Sequence, residues 1–215
     1  IRRKFLPSCA KCASAAVTLA RISRLQESLE PGEFFFVTNL VNVQYLTGFT
    51  GSNAALLVSN SDATIATDAR YEIQVREQVP ELHALIGRNF SDLLLGDLAK
   101  SKVLVEGSSI SMNAFKDLKD KLGHEFEATN GVIEQLRVVK DDSELQLIQA
   151  ACEISTKAFM EIIETVQVGQ SEKFIRNALE FRMRELGADG IAFDSIVASG
   201  PNSAIPHHEA TDRQV

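Results

Sequence analysis

Tryptophan is absent from the 215 residues, tyrosine occurs twice and cysteine three times. Three thiols, an odd number in a chain of this size, do not make a disulfide framework and point to a reducing, cytoplasmic setting. No apolar run approaches the roughly 20 residues of a bilayer-spanning helix; the segment 54–58 is typical of the longest, so no membrane partner is expected. Lys and Arg never gather into a stripe with interleaved aromatics, and the net charge of −7 argues against a nucleic-acid surface. Also missing are a Walker lysine, a G-x-G-x-x-G turn into a helix, and a His/Asp pair at recognisable spacing from Ser195 or Ser199. Internal repeats and low-complexity tracts are lacking too. What remains is 45% hydrophobic, ample for the core of one large domain or two small ones.

Charge is unevenly spread. Residues 1–30 carry six bases against Glu27 and Glu30, a net of +4, which leaves −11 for the rest of a chain that totals −7. Residues 1–16 form a basic leader, rich in Ala, Ser and Arg and without an acid, as an organellar transit peptide is. The alternative is that these residues lie upstream of the true start, with Val17 as initiator. That reading is favoured because the chain opens on Ile, and because Pro7 and the small-residue run leave little amphipathic helix. Cys9 and Cys12 have C-x-x-C spacing but no second pair, so neither zinc nor redox chemistry is expected there.

From Leu19 the pattern becomes regular. Leu19, Ile22, Leu25 and Leu29 recur at helical spacing until Pro31-Gly32. Segments 34–37, 54–58, 64–67, 82–86 and 103–105 read as strands, and 71–79, 90–100 and 112–122 as amphipathic helices. The alternation predicts a layered α/β unit over residues 17–134, a central sheet covered by helices. In the second region, 135–215, Asp141-Asp142-Ser143-Glu144 opens a long helix, its acids suiting the positive end of the dipole. A second helix begins near Ser171-Glu172 and closes at Leu186-Gly187. A strand is expected over 196–198, then a Gly200-Pro201-Asn202 turn and the pair His207-His208.

Four motifs in order carry a resemblance. They are Tyr45-Leu46-Thr47-Gly48-Phe49-Thr50-Gly51-Ser52-Asn53-Ala54, Thr67-Asp68-Ala69-Arg70-Tyr71, the junction Leu136-Arg137-Val138-Val139-Lys140-Asp141-Asp142-Ser143-Glu144, and the segment 190–208. From about Leu19 to Val215 the chain resembles the creatinase-like metallopeptidases, the family of aminopeptidase P and the Xaa-Pro dipeptidases (prolidases). The resemblance implies an α/β creatinase-like N-terminal domain followed by the start of an α+β pita-bread catalytic domain. It implies a pair of divalent metals, manganese foremost, and substrates that are short peptides with proline in second position. A homodimer is implied for the full-length protein. By its place in the motif, His207 is the catalytic residue, donating a hydrogen bond to the substrate carbonyl or the developing oxyanion, with His208 a second substrate-binding neighbour.

The family's metal ligands lie downstream of the His loop, so no metal ligand is assigned in this sequence. Asp194, Glu209 and Asp212 do not match the ligand positions. The expectation is therefore an inactive fragment of a longer peptidase that binds no metal by itself. A non-peptidase creatinase-like homologue, or a metal-free binding module, is the alternative. Without the resemblance, His207 and His208 read as surface histidines after a proline turn, and Asp68, Arg70 and Tyr71 as a strand-to-helix junction with an internal ion pair. His83 and His124 are isolated and expected to be uninvolved.

Overall fold

A computed structural model describes residues 15–215. Residues 1–14 of the basic leader, Cys9 and Cys12 among them, lie outside the described residues. The chain divides into two compact units after Lys140.

The first unit opens with helix α1 (Ala15–Gln26), strand β1 (Glu33–Val37), helix α2 (Leu40–Thr47) and the hairpin β2 (Ala54–Ser59) and β3 (Ala63–Thr67). A short 3-10 turn (Ala69–Tyr71) leads to α3 (Glu72–Gln78), β4 (His83–Ile86), α4 (Phe90–Leu95), β5 (Lys102–Glu106), α5 (Met112–Leu122), β6 (Glu125–Thr129) and α6 (Val132–Val138). The six strands form one sheet in the order β4-β3-β2-β1-β5-β6. Strand β1 is antiparallel to β2 and parallel to β5; β5 and β6 are parallel, as are β3 and β4.

Period-2 alternation sends side chains to opposite faces. Phe35 and Val37 join Leu56, Ile65, Leu46, Leu25 and Ile133 in one core, beneath α1, α2 and α6. Phe36 joins Leu57, Val103, Leu95 and Leu118 in the other, beneath α4 and α5. Both sides of the sheet are thus buried, which is why β1 and β2 read as continuous apolar runs rather than alternating ones.

Helix ends follow local rules. Asn39, Ser111 and Ser171 accept hydrogen bonds from the first-turn N–H groups of their helices, and Gly48 and Gly123 close α2 and α5 in the left-handed region.

The second unit contains α7 (Asp142–Ile163) and α8 (Glu172–Glu185), then a 3-10 turn over Gly200–Ala204. Asp141 and Glu144 make a reciprocal capping box at the start of α7. The expected strand at 196–198 does not form: its backbone carries no ladder. Among the described residues no strand of this unit lies alongside it, and extended backbone without a partner is not a sheet.

Three elements escaped the pattern reading. Helices α2 and α6 span only 8 and 7 residues, about two turns each, too few for a helical period to show. Strand β6 spends three of its five positions on Glu125, Glu127 and Thr129.

Candidate functional site in the second unit

The loop that carries the two histidines is built around one buried carboxylate. Glu172 occupies the first position of α8 and is 0% exposed. Its Oε1 accepts from Ser199 N at 2.7 Å, Ser199 Oγ at 2.9 Å and Asn202 Nδ2 at 3.0 Å. Its Oε2 accepts from Thr211 N at 3.0 Å and Thr211 Oγ1 at 2.8 Å, and lies 2.8 Å from His208 Nε2. Residues on both sides of the Gly200–Ala204 turn therefore converge on a single side chain.

Backbone pairing reinforces the wrap. The C-terminal strip runs antiparallel to residues 169–173, with Glu172 N donating to Arg213 O, Lys173 N to Thr211 O and Val215 N to Gln170 O. The orphan N–H groups of the first turn of α8 are thereby satisfied. Burial by itself would raise the Glu172 carboxyl. The hydrogen bonds from His208, Thr211 and Asn202 together outweigh it and hold the group well below the usual carboxylate range.

The two histidines are treated differently. His208 is 9% exposed and locked to Glu172. His207, directly after Pro206, is exposed, and its ring makes no hydrogen bond or ion pair among the described residues. Its side chain stands at the surface of a loop whose backbone is fixed beneath it. From the sequence both histidines are expected to face substrate; the structure leaves His207 exposed and turns His208 inward onto Glu172.

Glu172 is the residue that the sequence does not single out. There it is an ordinary first-turn acid that suits the helix dipole. The signal that accompanies it, Ser199, Asn202, His208 and Thr211 within one loop, becomes meaningful only once the loop is known to fold back on the helix.

The described residues do not fit a metal pair. Among them no group of three or more His, Cys, Asp or Glu side chains lies close enough to hold an ion. Asp212 is mostly exposed and paired with Lys173 at 3.0 Å.

The other singled-out residues sit in the first unit and have structural partners. Arg70 donates to both Asp68 oxygens, at 2.9 and 2.8 Å, and Asn53 Nδ2 donates to the same carboxylate at 2.6 Å. Asp68 is held well below its ordinary value, first by the Arg70 hydrogen bonds and then by Asn53. The two N-terminal motifs thus bind each other, and Tyr71 Oη to Ser52 Oγ at 2.6 Å is a second tie. His124 is buried between Leu95 O and Ser101 N, while His83 is exposed on edge strand β4.

Family models agree with this architecture. Residues 17–139 match the Creatinase/Prolidase N-terminal domain, and residues 146–215 match Metallopeptidase family M24. The chain belongs to the creatinase/prolidase family of metallopeptidases.

Among curated relatives, the uncharacterized peptidase YqhT of Bacillus subtilis is 32% identical over 184 residues, covering 83% of this chain and 52% of that protein. The Xaa-Pro dipeptidase of Pyrococcus furiosus is 29% identical over 181 residues, covering 84% and 52%. Of solved structures, the Xaa-Pro dipeptidase from Bacillus anthracis matches with a TM-score of 0.85 at 30% identity, over 92% of this chain and 57% of the other. The X-Pro aminopeptidase from Thermotoga maritima matches with a TM-score of 0.80 at 34% identity, over 88% and 57%. The chain spans about half the length of the curated relatives it matches. The fold class expected from the sequence is confirmed: a creatinase-like N-terminal domain and the start of a catalytic domain of the M24 type.

Proposed function

We propose that this chain is part of a Xaa-Pro peptidase, of the aminopeptidase P or prolidase type, that hydrolyses the bond preceding proline in short peptides. The observation that carries the reading is the contrast within the His loop. Buried Glu172 fixes the backbone from Ser199 to Thr211, while the adjacent His207 ring is left open to solvent. A rigid backbone beneath one exposed imidazole suits a group that must meet a substrate oxygen without reorganising.

In this reading His207 donates to the scissile carbonyl and to the oxyanion that replaces it. His208 does not touch substrate; it orients the loop through Glu172. The divalent pair of the family, manganese foremost, would be held by residues of a longer product and supply the activated water. A cytoplasmic homodimer is part of the same proposal.

The test compares purified residues 1–215 with the product of the reading frame continued past Val215, on Xaa-Pro dipeptides with and without manganese. The expected result is manganese-dependent turnover by the longer product and none by the 215 residues. In the longer product, His207→Ala should lower kcat/KM by about 10²-fold with metal content unchanged, as loss of one oxyanion donor does. Robust turnover by residues 1–215 overturns the fragment reading. A longer product that binds Xaa-Pro peptides without cleaving them replaces the peptidase reading with that of a binding module.

A further inference from the structure

The first unit contains a crevice that the peptidase reading does not use. It has a volume of about 390 Å³ and is lined by first-unit residues alone. That volume is in the range of small-molecule sites.

Its place in the topology is informative. Strands β1 and β5 are adjacent and parallel, yet β1 continues into α2 on one side of the sheet and β5 into α5 on the other. Outside the carboxyl ends of such a pair the two connections diverge and leave a cleft, where open α/β sheets bind their ligands. Thr38 follows β1 and Ser109 follows β5, and both line the crevice.

A nucleotide is the usual occupant of a cleft of this kind, and the local chemistry argues against one. The main-chain donors after β1 are already taken: Thr38 N and Asn39 N both donate to Glu106 Oε2 at 2.8 Å. The carboxylate that takes them is 5% exposed and internal, so a phosphate in the crevice would find neither donor free.

The side chains that remain select a different ligand. Phe36, Phe90 and Leu118 give an apolar floor. Asp117 and Lys121 stand one turn apart on the same face of α5, both lining the crevice and both exposed, and no ion pair joins them among the described residues. One acid and one base above an apolar floor are complementary to a small molecule with a carboxylate, an ammonium and an apolar body.

We propose that the crevice between β1, α4 and α5 is a second binding site that takes a free amino acid or dipeptide zwitterion with an apolar side chain. Lys121 meets its carboxylate, Asp117 its ammonium, and Phe36, Phe90 and Leu118 its side chain. The proposal does not rest on the peptidase reading, because every residue it uses lies in the first unit.

The test is a titration of the 215-residue chain with L-leucine and with L-leucyl-L-proline, followed by amide chemical shifts. Saturable shifts confined to residues 36–38, 89–91 and 109–122 are expected, with a Kd no weaker than about 10 mM. N-acetyl-L-leucine amide, which has the apolar body without either charge, should bind at least about tenfold more weakly. Asp117→Asn and Lys121→Gln, both exposed positions, should each reduce affinity about tenfold or more. Ala114→Phe, which fills the crevice from α5, should abolish the shifts while leaving the remaining amide spectrum in place. The proposal is overturned if the zwitterions give no saturable shifts, if the shifts map to residues 199–211 instead, or if the uncharged amide binds as well as they do.

Discussion

Asn42 holds together a buried polar node in the first unit, and its removal gives a quantitative test of how that unit is built. Asn42 is 0% exposed. Its Nδ2 donates to Glu106 Oε1 and to Glu134 Oε1, both at 2.7 Å, and its Oδ1 accepts from Arg137 Nη1 at 3.0 Å. The side chain thus ties α2 to the end of β5 and to α6. In Asn42→Ala, Glu134 and Arg137 are half-buried and recover water. Glu106 is not, and it loses one of the three donors that make its charge tolerable. A hydrogen bond to a charged group is worth about 1.5–3 kcal/mol, and leaving a buried acceptor short adds to that. The expected loss is about 2–3 kcal/mol. For a unit of this size 1 kcal/mol shifts the midpoint by about 3–5 °C, so the transition of the first unit should fall by about 6–15 °C. Thermal unfolding of the 215-residue chain, followed by near-UV absorbance of Tyr45 and Tyr71, measures it. Because α6 is held by the same node, amides of Val132–Val138 should lose hydrogen-exchange protection in the variant before those of β1. A loss below about 0.5 kcal/mol, within the range of ordinary surface substitutions, would mean that Asn42 does not hold the node together.

In Glu172→Gln the loop clamp loses its charge, and amide exchange across residues 199–215 should accelerate while that of the first unit is unchanged. The same carboxyl sets a pH dependence. Its folded-state value lies below the ordinary 4.5, so its contribution is fully present above that value and is lost as pH falls below it. Loop protection should therefore decline on acidification in the wild-type chain and stay flat in Glu172→Gln; parallel declines in both would reject Glu172 as the clamp. Gly51→Ala should destabilise the first unit by about 1–3 kcal/mol through overpacking, because a Cβ there would stand 2.3 Å from Phe49 Cζ and 3.1 Å from Tyr71 Cδ1. Denaturant unfolding with an unaltered midpoint would show that the Phe49 ring moves aside freely.

The parts of the molecule that were legible in the sequence are those whose signal is local. Strands β1, β2 and β5 are short runs bounded by breakers, α7 announces itself with Asp141 and Glu144, and α5 shows its apolar stripe above a serine cap. The motif around Gly51 and the one around Arg70 were legible as motifs, and so was the Asp68–Arg70 ion pair inside the second; that the two motifs bind each other was not. The structure shows them as two halves of one contact, Asn53 and Arg70 sharing Asp68, with Gly51 leaving room for the Phe49 and Tyr71 rings. The same holds for the His loop. A sequence can place two histidines after a proline; it cannot say which one turns inward, since that depends on a carboxylate 36 positions earlier that lies beside His208.

The inward turn of His208 changes how the neighbouring residue should be judged. An exposed histidine on a mobile loop is an ordinary surface group. An exposed histidine whose adjacent residue is pinned to a fully buried, ionised glutamate has its position dictated from below, and the ordering has already been met by folding rather than by binding. The Ser199 and Thr211 hydroxyls serve the same carboxylate from opposite ends of the loop, so the backbone beneath His207 is braced on both sides. If that brace is what makes the imidazole useful, Thr211→Val should act on it from a distance. It removes the Oγ1 donor to Glu172 and keeps the shape of the side chain. In the longer product its effect should fall on kcat more than on KM, because a loosened donor costs most where charge develops. An equal effect on both would mean that the loop merely shapes the binding surface.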